Sequence, residues 1–164
     1  MKTIEMSNYS VGESCYNEIP GVCEKYNVKK VVLIGGKRAL AAAEPRIREA
    51  IKETDIIITD SIVYGIECTM TNVHKLTSNP NVQDADVIFA IGGGKAIDTC
   101  KTASIEMDDK MVFSFPTICS NCSAATAIAV VYDDNGALNH YSYPHCPVHI
   151  FINPDVIAKA PSEY

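Results

Sequence analysis

Three consecutive glycines, Gly92-Gly93-Gly94, separate an apolar run, Asp86-Val87-Ile88-Phe89-Ala90-Ile91, from a helix-prone segment that begins Lys95-Ala96-Ile97-Asp98. The apolar run reads as a buried parallel strand. Glycine lets a ligand approach the backbone closely and lets a turn use positive φ. The following helix then aims its free N–H groups and the positive end of its dipole at whatever sits on the glycines. Such a strand-to-helix corner is a natural seat for a pyrophosphate. We read it as the grip for a nucleotide, a nicotinamide dinucleotide in particular. The bland alternative is a tight turn without a ligand.

A second candidate chemistry lies in Cys119-x-x-Cys122, which could be a redox dithiol or half of a zinc site. A structural zinc needs four ligands, and no second Cys-x-x-Cys exists. Cys146 with His145 or His149 could complete a set, but neighbouring Cys146 and His145 face opposite ways in an extended chain. A thioredoxin-like site usually has an aromatic before its first cysteine, and here that residue is Ile118. The reading is therefore two reduced thiols, with Cys23, Cys68, Cys100, Cys119 and Cys146 expected as buried thiols in apolar or mixed surroundings. His140, His145 and His149 are possible proton carriers, although His140 suits a hairpin surface. His74 suits a solvated helix face.

The elements that must position these groups alternate between strand-like and helix-like, which argues for an α/β layer architecture. Strands are expected at Val31 to Ile34, Ile56 to Thr59, Val87 to Ile91, Met111 to Phe115 and Val148 to Ile152. Helices are expected from Lys37 to Lys52, from Thr69 to Leu76 and from Lys95 to Glu106. Pro45 should interrupt the first of these and start a second helix. Thr71 or Asn72 should cap the next. Asp133-Asp134-Asn135-Gly136 lies between Ala127 to Tyr132 and Ala137 to Tyr143, a strong hairpin signal. Asn153-Pro154-Asp155 opens a short helix.

At 164 residues the chain suits one domain, which could bury roughly 70% of its unfolded surface. Its net charge of −6 argues against nucleic acid and anionic membranes, both of which favour basic patches. No apolar run approaches the ~18 residues of a spanning helix. Met1 to Asn8 lacks the apolar core of a signal peptide, so the expected compartment is the cytoplasm. Pro161-Ser162 reads as the start of another helix, so we expect the chain to be part of a longer protein.

Taken together, the residues resemble a known family. Gly92-Gly93-Gly94-x-x-x-Asp98-x-x-Lys101 is similar to the glycine-rich motif of iron-containing alcohol dehydrogenases and glycerol dehydrogenases, of the dehydroquinate-synthase-like superfamily. Pro116-Thr117-Ile118, Ser120 and the hairpin block agree in order and spacing. So does Asn153-Pro154-Asp155-Val156-Ile157-Ala158-Lys159-Ala160-Pro161.

The resemblance implies a Rossmann-like α/β domain, a mostly parallel sheet with flanking helices plus a β-hairpin. It places an NAD(P)-binding domain at 1–155, with 156–164 starting a C-terminal helical domain that holds a divalent metal, zinc or iron. It implies that Gly93, Gly94 and Lys95 lie along the pyrophosphate, and that Asp98 sits at the helix start and orders the loop. Thr117 and Ser120 take positions around the adenosine and pyrophosphate. Thr126, Ile128 and Tyr132 flank the nicotinamide and its ribose.

Two departures matter. NAD-preferring members end the first strand with an Asp that bonds the 2′-hydroxyl and repels a 2′-phosphate. Here Gly36 stands there, beside Lys37 and Arg38, which favours NADP. Glycerol dehydrogenases carry an Asp where this chain has Cys122, as the hydroxycarboxylate dehydrogenase branch also does. A carboxylate there would repel a substrate carboxylate by roughly 1–4 kcal/mol at 4 Å. The expectation is a small-molecule substrate, a 2-hydroxy or 2-oxo acid rather than glycerol. The full-length protein is expected to be a homo-oligomer. The wider class of hydride-transfer substrates is a small alcohol, polyol or 2-hydroxy/2-oxo acid; glycerol dehydrogenase proper, a dehydroquinate-synthase-like lyase and a non-catalytic dinucleotide-binding module remain as alternatives.

Overall fold

The computed structural model describes residues 6–161. The first five residues of the signal-peptide reading and Ser162 of the expected final helix lie outside them. From the N-terminus run β1 (Asn8–Val11), a 3₁₀ turn (Cys15–Glu18), α1 (Ile19–Lys25), β2 (Lys30–Gly35), α2 (Lys37–Ile51), β3 (Ile57–Val63) and α3 (Met70–Thr77). Next come α4 (Pro80–Asp84), β4 (Val87–Gly92), α5 (Gly94–Ile105) and β5 (Met111–Pro116). A 3₁₀ turn (Ser123–Ala125), β6 (Ala129–Tyr132), β7 (Leu138–Ser142), β8 (His149–Ile152) and α6 (Pro154–Ala158) complete the order.

Six strands form one parallel sheet in the order β1-β8-β5-β4-β2-β3. Its central strands are continuous apolar runs because both faces are covered. Val31, Leu33, Phe89 and Ile91 face a core shared with α1 and α2. Val32, Ile34, Ile88 and Ala90 face a second core under α3, α4 and α5. The first core is an aromatic ladder, in which Phe115 stacks on Phe151 at 4.7 Å and Tyr16 meets Phe115 edge-on at 5.4 Å. The expected hairpin forms as a separate antiparallel pair, β6 with β7. Gly136, at φ +85°, makes its turn.

Two local expectations are corrected. Helix α2 runs unbroken through Pro45. Leu40, Ala43, Ile47 and Ile51 fix one face of it in the core on both sides of the proline. Pro45 itself is exposed, so the backbone carbonyl that loses its donor can turn to solvent. Helix α3 is capped not by Thr71 or Asn72 but by Thr69, whose hydroxyl accepts from the Asn72 N–H at 3.2 Å. Strand β1 and helices α1 and α4 are additions to the sequence reading.

The sheet edge also holds a titrating group. His149 is buried on β8, with Nε2 2.9 Å from the Ser10 hydroxyl on β1. Burial pulls its pKa below the ordinary 6.5; the charge of Lys25 adds to this and Glu18 opposes it. The unfolded chain therefore takes up this proton first. The stability that neutral His149 contributes is complete above pH 6.5 and is lost as pH falls through the folded value. Denaturant unfolding across this range is expected to show an acid limb that His149→Gln makes shallower. An unchanged limb would remove His149 from the account.

Candidate functional site

Strands β2 and β4 lie side by side, yet their connections leave in opposite directions, β2 to β3 and β4 to β5. Open α/β sheets take ligands in the crevice beyond the carboxyl ends of the strands at such a switch point. A crevice of about 760 Å³ opens there, lined by the ends of β2, β4 and β5. Glycines make it possible. A Cβ on Gly35 would come within 2.4 Å of the Ile91 carbonyl oxygen, and Gly92 needs φ +147°. Gly93 caps α5 in an extended conformation without a side-chain bond, so the first turn of α5 opens onto the crevice.

Of the residues singled out in the sequence, Gly36, Gly93, Gly94, Lys95, Thr117 and Ser120 line this crevice. The Thr117 N–H donates to the Gly92 carbonyl at 3.1 Å, which locks the end of β5 to the glycine corner. Ile118, Asn121 and Lys159, also in the wall, were given no site role in the sequence reading. A Cβ added to Gly93 would meet Ile118 at 2.4 Å, and one added to Gly94 would meet Asn121 at 2.4 Å. By contrast, nothing lies within 4 Å of a Cβ built on Gly36.

Asp98, Cys122, Thr126, Ile128 and Tyr132 do not line the crevice. They belong to a buried knot, or lie next to it, behind α5. Asp98 pairs with Lys101 at 3.0 Å, and the Lys101 side chain is fully buried. Lys101 Nζ also donates to the carbonyls of Ser123 (2.9 Å), Thr126 (3.2 Å) and Ile128 (2.6 Å). Asp98 accepts from the Ser123 hydroxyl and from the Val130 N–H at 3.1 Å. Burial pulls the Lys101 ammonium below its ordinary range, and the Asp98 carboxylate opposes that. Asp98 bonds to the 123–130 segment from the second turn of the helix, not from the helix start as expected. Lys101, matched in the motif but given no role, holds more of the loop than Asp98 does. Its signal was the helical i, i+3 spacing from an acid within an otherwise uncharged stretch. Ile128 contributes its carbonyl while its side chain stays 39% exposed. Tyr132 ends β6, where its N–H donates to the Cys68 carbonyl at 2.8 Å.

The thiols divide by burial. Cys15, Cys23, Cys68 and Cys100 are buried, and burial pushes Cys23 up to about 12 and Cys68 up to about 11. Cys119, expected to be buried, is exposed with Cys122, because both sit in the loop after β5 rather than on an element facing a core; Cys146 is half-buried. None of the seven is in a disulfide, and among the described residues no three His, Cys, Asp or Glu side chains come together to hold a metal. His74 and His140 are exposed, as read. His145 lies on the surface, 3.5 Å from Asp109.

The layers, the strand order and the crevice define a doubly wound α/β domain of the ligand-binding kind. The chain belongs to the iron-containing alcohol dehydrogenase family, which it matches over residues 7–154. It is 27% identical to hydroxycarboxylate dehydrogenase A of Escherichia coli (strain K12) over 159 residues, covering 96% of this chain and 42% of that one. It is 31% identical to glycerol dehydrogenase of Thermotoga maritima over 103 residues, covering 62% and 28%. The chain spans less than half the length of these relatives.

Among solved structures, glycerol dehydrogenase from Schizosaccharomyces pombe superposes with a TM-score of 0.82 at 24% identity, over all of this chain and 41% of that one. An iron-containing alcohol dehydrogenase from Thermotoga maritima gives 0.85 at 17% identity, over 99% and 50%. At such identities the likeness is one of fold. No helix among the described residues is long and apolar enough to cross a membrane.

Proposed function

We propose that this chain is the coenzyme-holding part of an NAD(P)-dependent oxidoreductase acting on a small alcohol, polyol or 2-hydroxy/2-oxo acid, with NADP favoured. The carrying observation is the crevice at the switch point, with the α5 N-terminus on one bank and Gly36 on the other. Two features support a dinucleotide. Gly93 and Gly94 let Ile118 and Asn121 pack closely against the corner, and first-turn amides without helical acceptors suit a pyrophosphate. At the far bank, Lys37 and Arg38 flank Gly36, and Lys159 joins them from beyond α6. Cations there suit a 2′-phosphate, which a carboxylate would repel.

When bound, the nicotinamide ring supplies hydride exchange. This chain's residues hold and orient it. Glycine amides and Lys95 fix the phosphates. The Asp98–Lys101 knot fixes the loop that carries Thr126 and Ile128. Cys122 starts the turn whose Ser123 carbonyl Lys101 holds, and its thiol replaces a carboxylate that would disfavour acid substrates. The described residues do not fit a divalent metal.

The test is calorimetric titration of the 164-residue chain with NADPH and NADH. Binding of both, with NADPH the tighter, is expected. Indifference to both coenzymes would sink the reading, and a clear preference for NADH would remove the NADP assignment.

A further inference from the structure

Behind Ile66 in the crevice wall stands an acid that the coenzyme reading does not use. Glu67 Oε2 lies 2.6 Å from Lys95 Nζ, joining the loop after β3 to the start of α5. The two partners are held unequally. Glu67 Oε1 accepts from the Cys68 N–H at 3.2 Å, and the Glu67 carbonyl accepts from Asn72 Nδ2 at 2.8 Å. The Glu67 side chain is 27% exposed, against 60% for Lys95. The acid is therefore the anchored partner and the lysine the one that can swing on its four-carbon stem. Lys95 is the second residue of α5, beside the amides that face the crevice. A phosphate seated on those amides needs the same ammonium.

We propose that Glu67 is a built-in competitor for Lys95, so that a pyrophosphate-bearing ligand must take the lysine from it. This rests on the coenzyme reading above and adds a residue that sets affinity and release. The Glu67 carboxylate offers Lys95 one negative charge. A diphosphate offers more charge in the same place and wins the exchange.

Glu67→Gln removes the charge and keeps an oxygen for the Cys68 N–H. Titration of wild type and variant with NADPH and with inorganic pyrophosphate is expected to show both ligands tightening by about three- to tenfold. In a Lys95→Gln background the same change is expected to alter affinity by less than about twofold. Glu67→Asp, which keeps the charge but withdraws it, should tighten binding by an intermediate amount, and thermal unfolding confirms that each variant is folded. Unchanged or weaker binding in Glu67→Gln overturns the proposal. So does an equal gain without Lys95, which would mean simple repulsion rather than competition. Wild-type binding with no response to Glu67→Gln sinks the competitor alone. Failure of wild type and variant to bind either ligand sinks the coenzyme reading and the competitor together.

Discussion

Lys101→Met is expected to lower the unfolding free energy by about 3–5 kcal/mol, the range for removing one partner of a buried ion pair. The lysine is fully buried, and its ammonium serves one carboxylate and three carbonyls. Methionine fills much of the volume and satisfies none of them. Asp98 would keep the Ser123 hydroxyl and the Val130 N–H but lose its counter-charge. Removing that charge as well, in Asp98→Asn with Lys101→Met, should recover part of the loss, because two buried neighbours do not add. The orphaned carbonyls would prevent full recovery. Denaturant unfolding measures all three variants, and hydrogen exchange should rise first in 123–130. A loss below about 1 kcal/mol would place the ammonium in contact with solvent and undo the description of the knot.

The second large effect is expected at the opposite bank. Gly36→Asp should weaken NADPH binding by about tenfold or more, since a carboxylate near a 2′-phosphate costs roughly 1–4 kcal/mol at 4 Å. NADH should bind as well as before or better, through its 2′-hydroxyl. The fold should tolerate the change. Gly36 is extended at φ −76° and ψ 155°, and its Cβ direction is open. It is also the N-cap of α2 and makes no side-chain capping bond, a position where Asp exceeds Gly by a few tenths of a kcal/mol. A thermal midpoint that holds or rises while coenzyme preference inverts would separate recognition from folding. An unchanged preference would show that position 36 does not meet the adenosine ribose.

The sheet was legible because its inner strands are apolar on both faces, a pattern that antiparallel surface strands do not have. The hairpin was legible from Asn135-Gly136. Strand β1 was not, because it pairs on one side only and leaves Tyr9 and Val11 exposed, so Asn8-Tyr9-Ser10-Val11 carries little apolar signal. The unbroken α2 was missed because proline propensity acts locally while the buried face of the helix is held by the whole domain. In the site, the glycines were readable from type and spacing, whereas Thr117 came only from the family resemblance. Lys101 was harder, since a lysine reads as solvated until four partners are seen converging behind α5. The link between Glu67 and Lys95 could not be read at all. It exists because β3 and β4 flank β2, which brings the loop after one strand to the helix after the other.

The two banks of the crevice differ in how freely they can change over evolutionary time. On the α5 side, every residue from Ala96 to Ser104 is buried, and side chains added at Gly93 or Gly94 would strike Ile118 or Asn121. Drift there needs coordinated replacements. On the β2 side, Gly36 borders open space and single substitutions carry no steric cost. Diversification of coenzyme choice among descendants of this scaffold should therefore accumulate after β2, while the phosphate corner stays frozen.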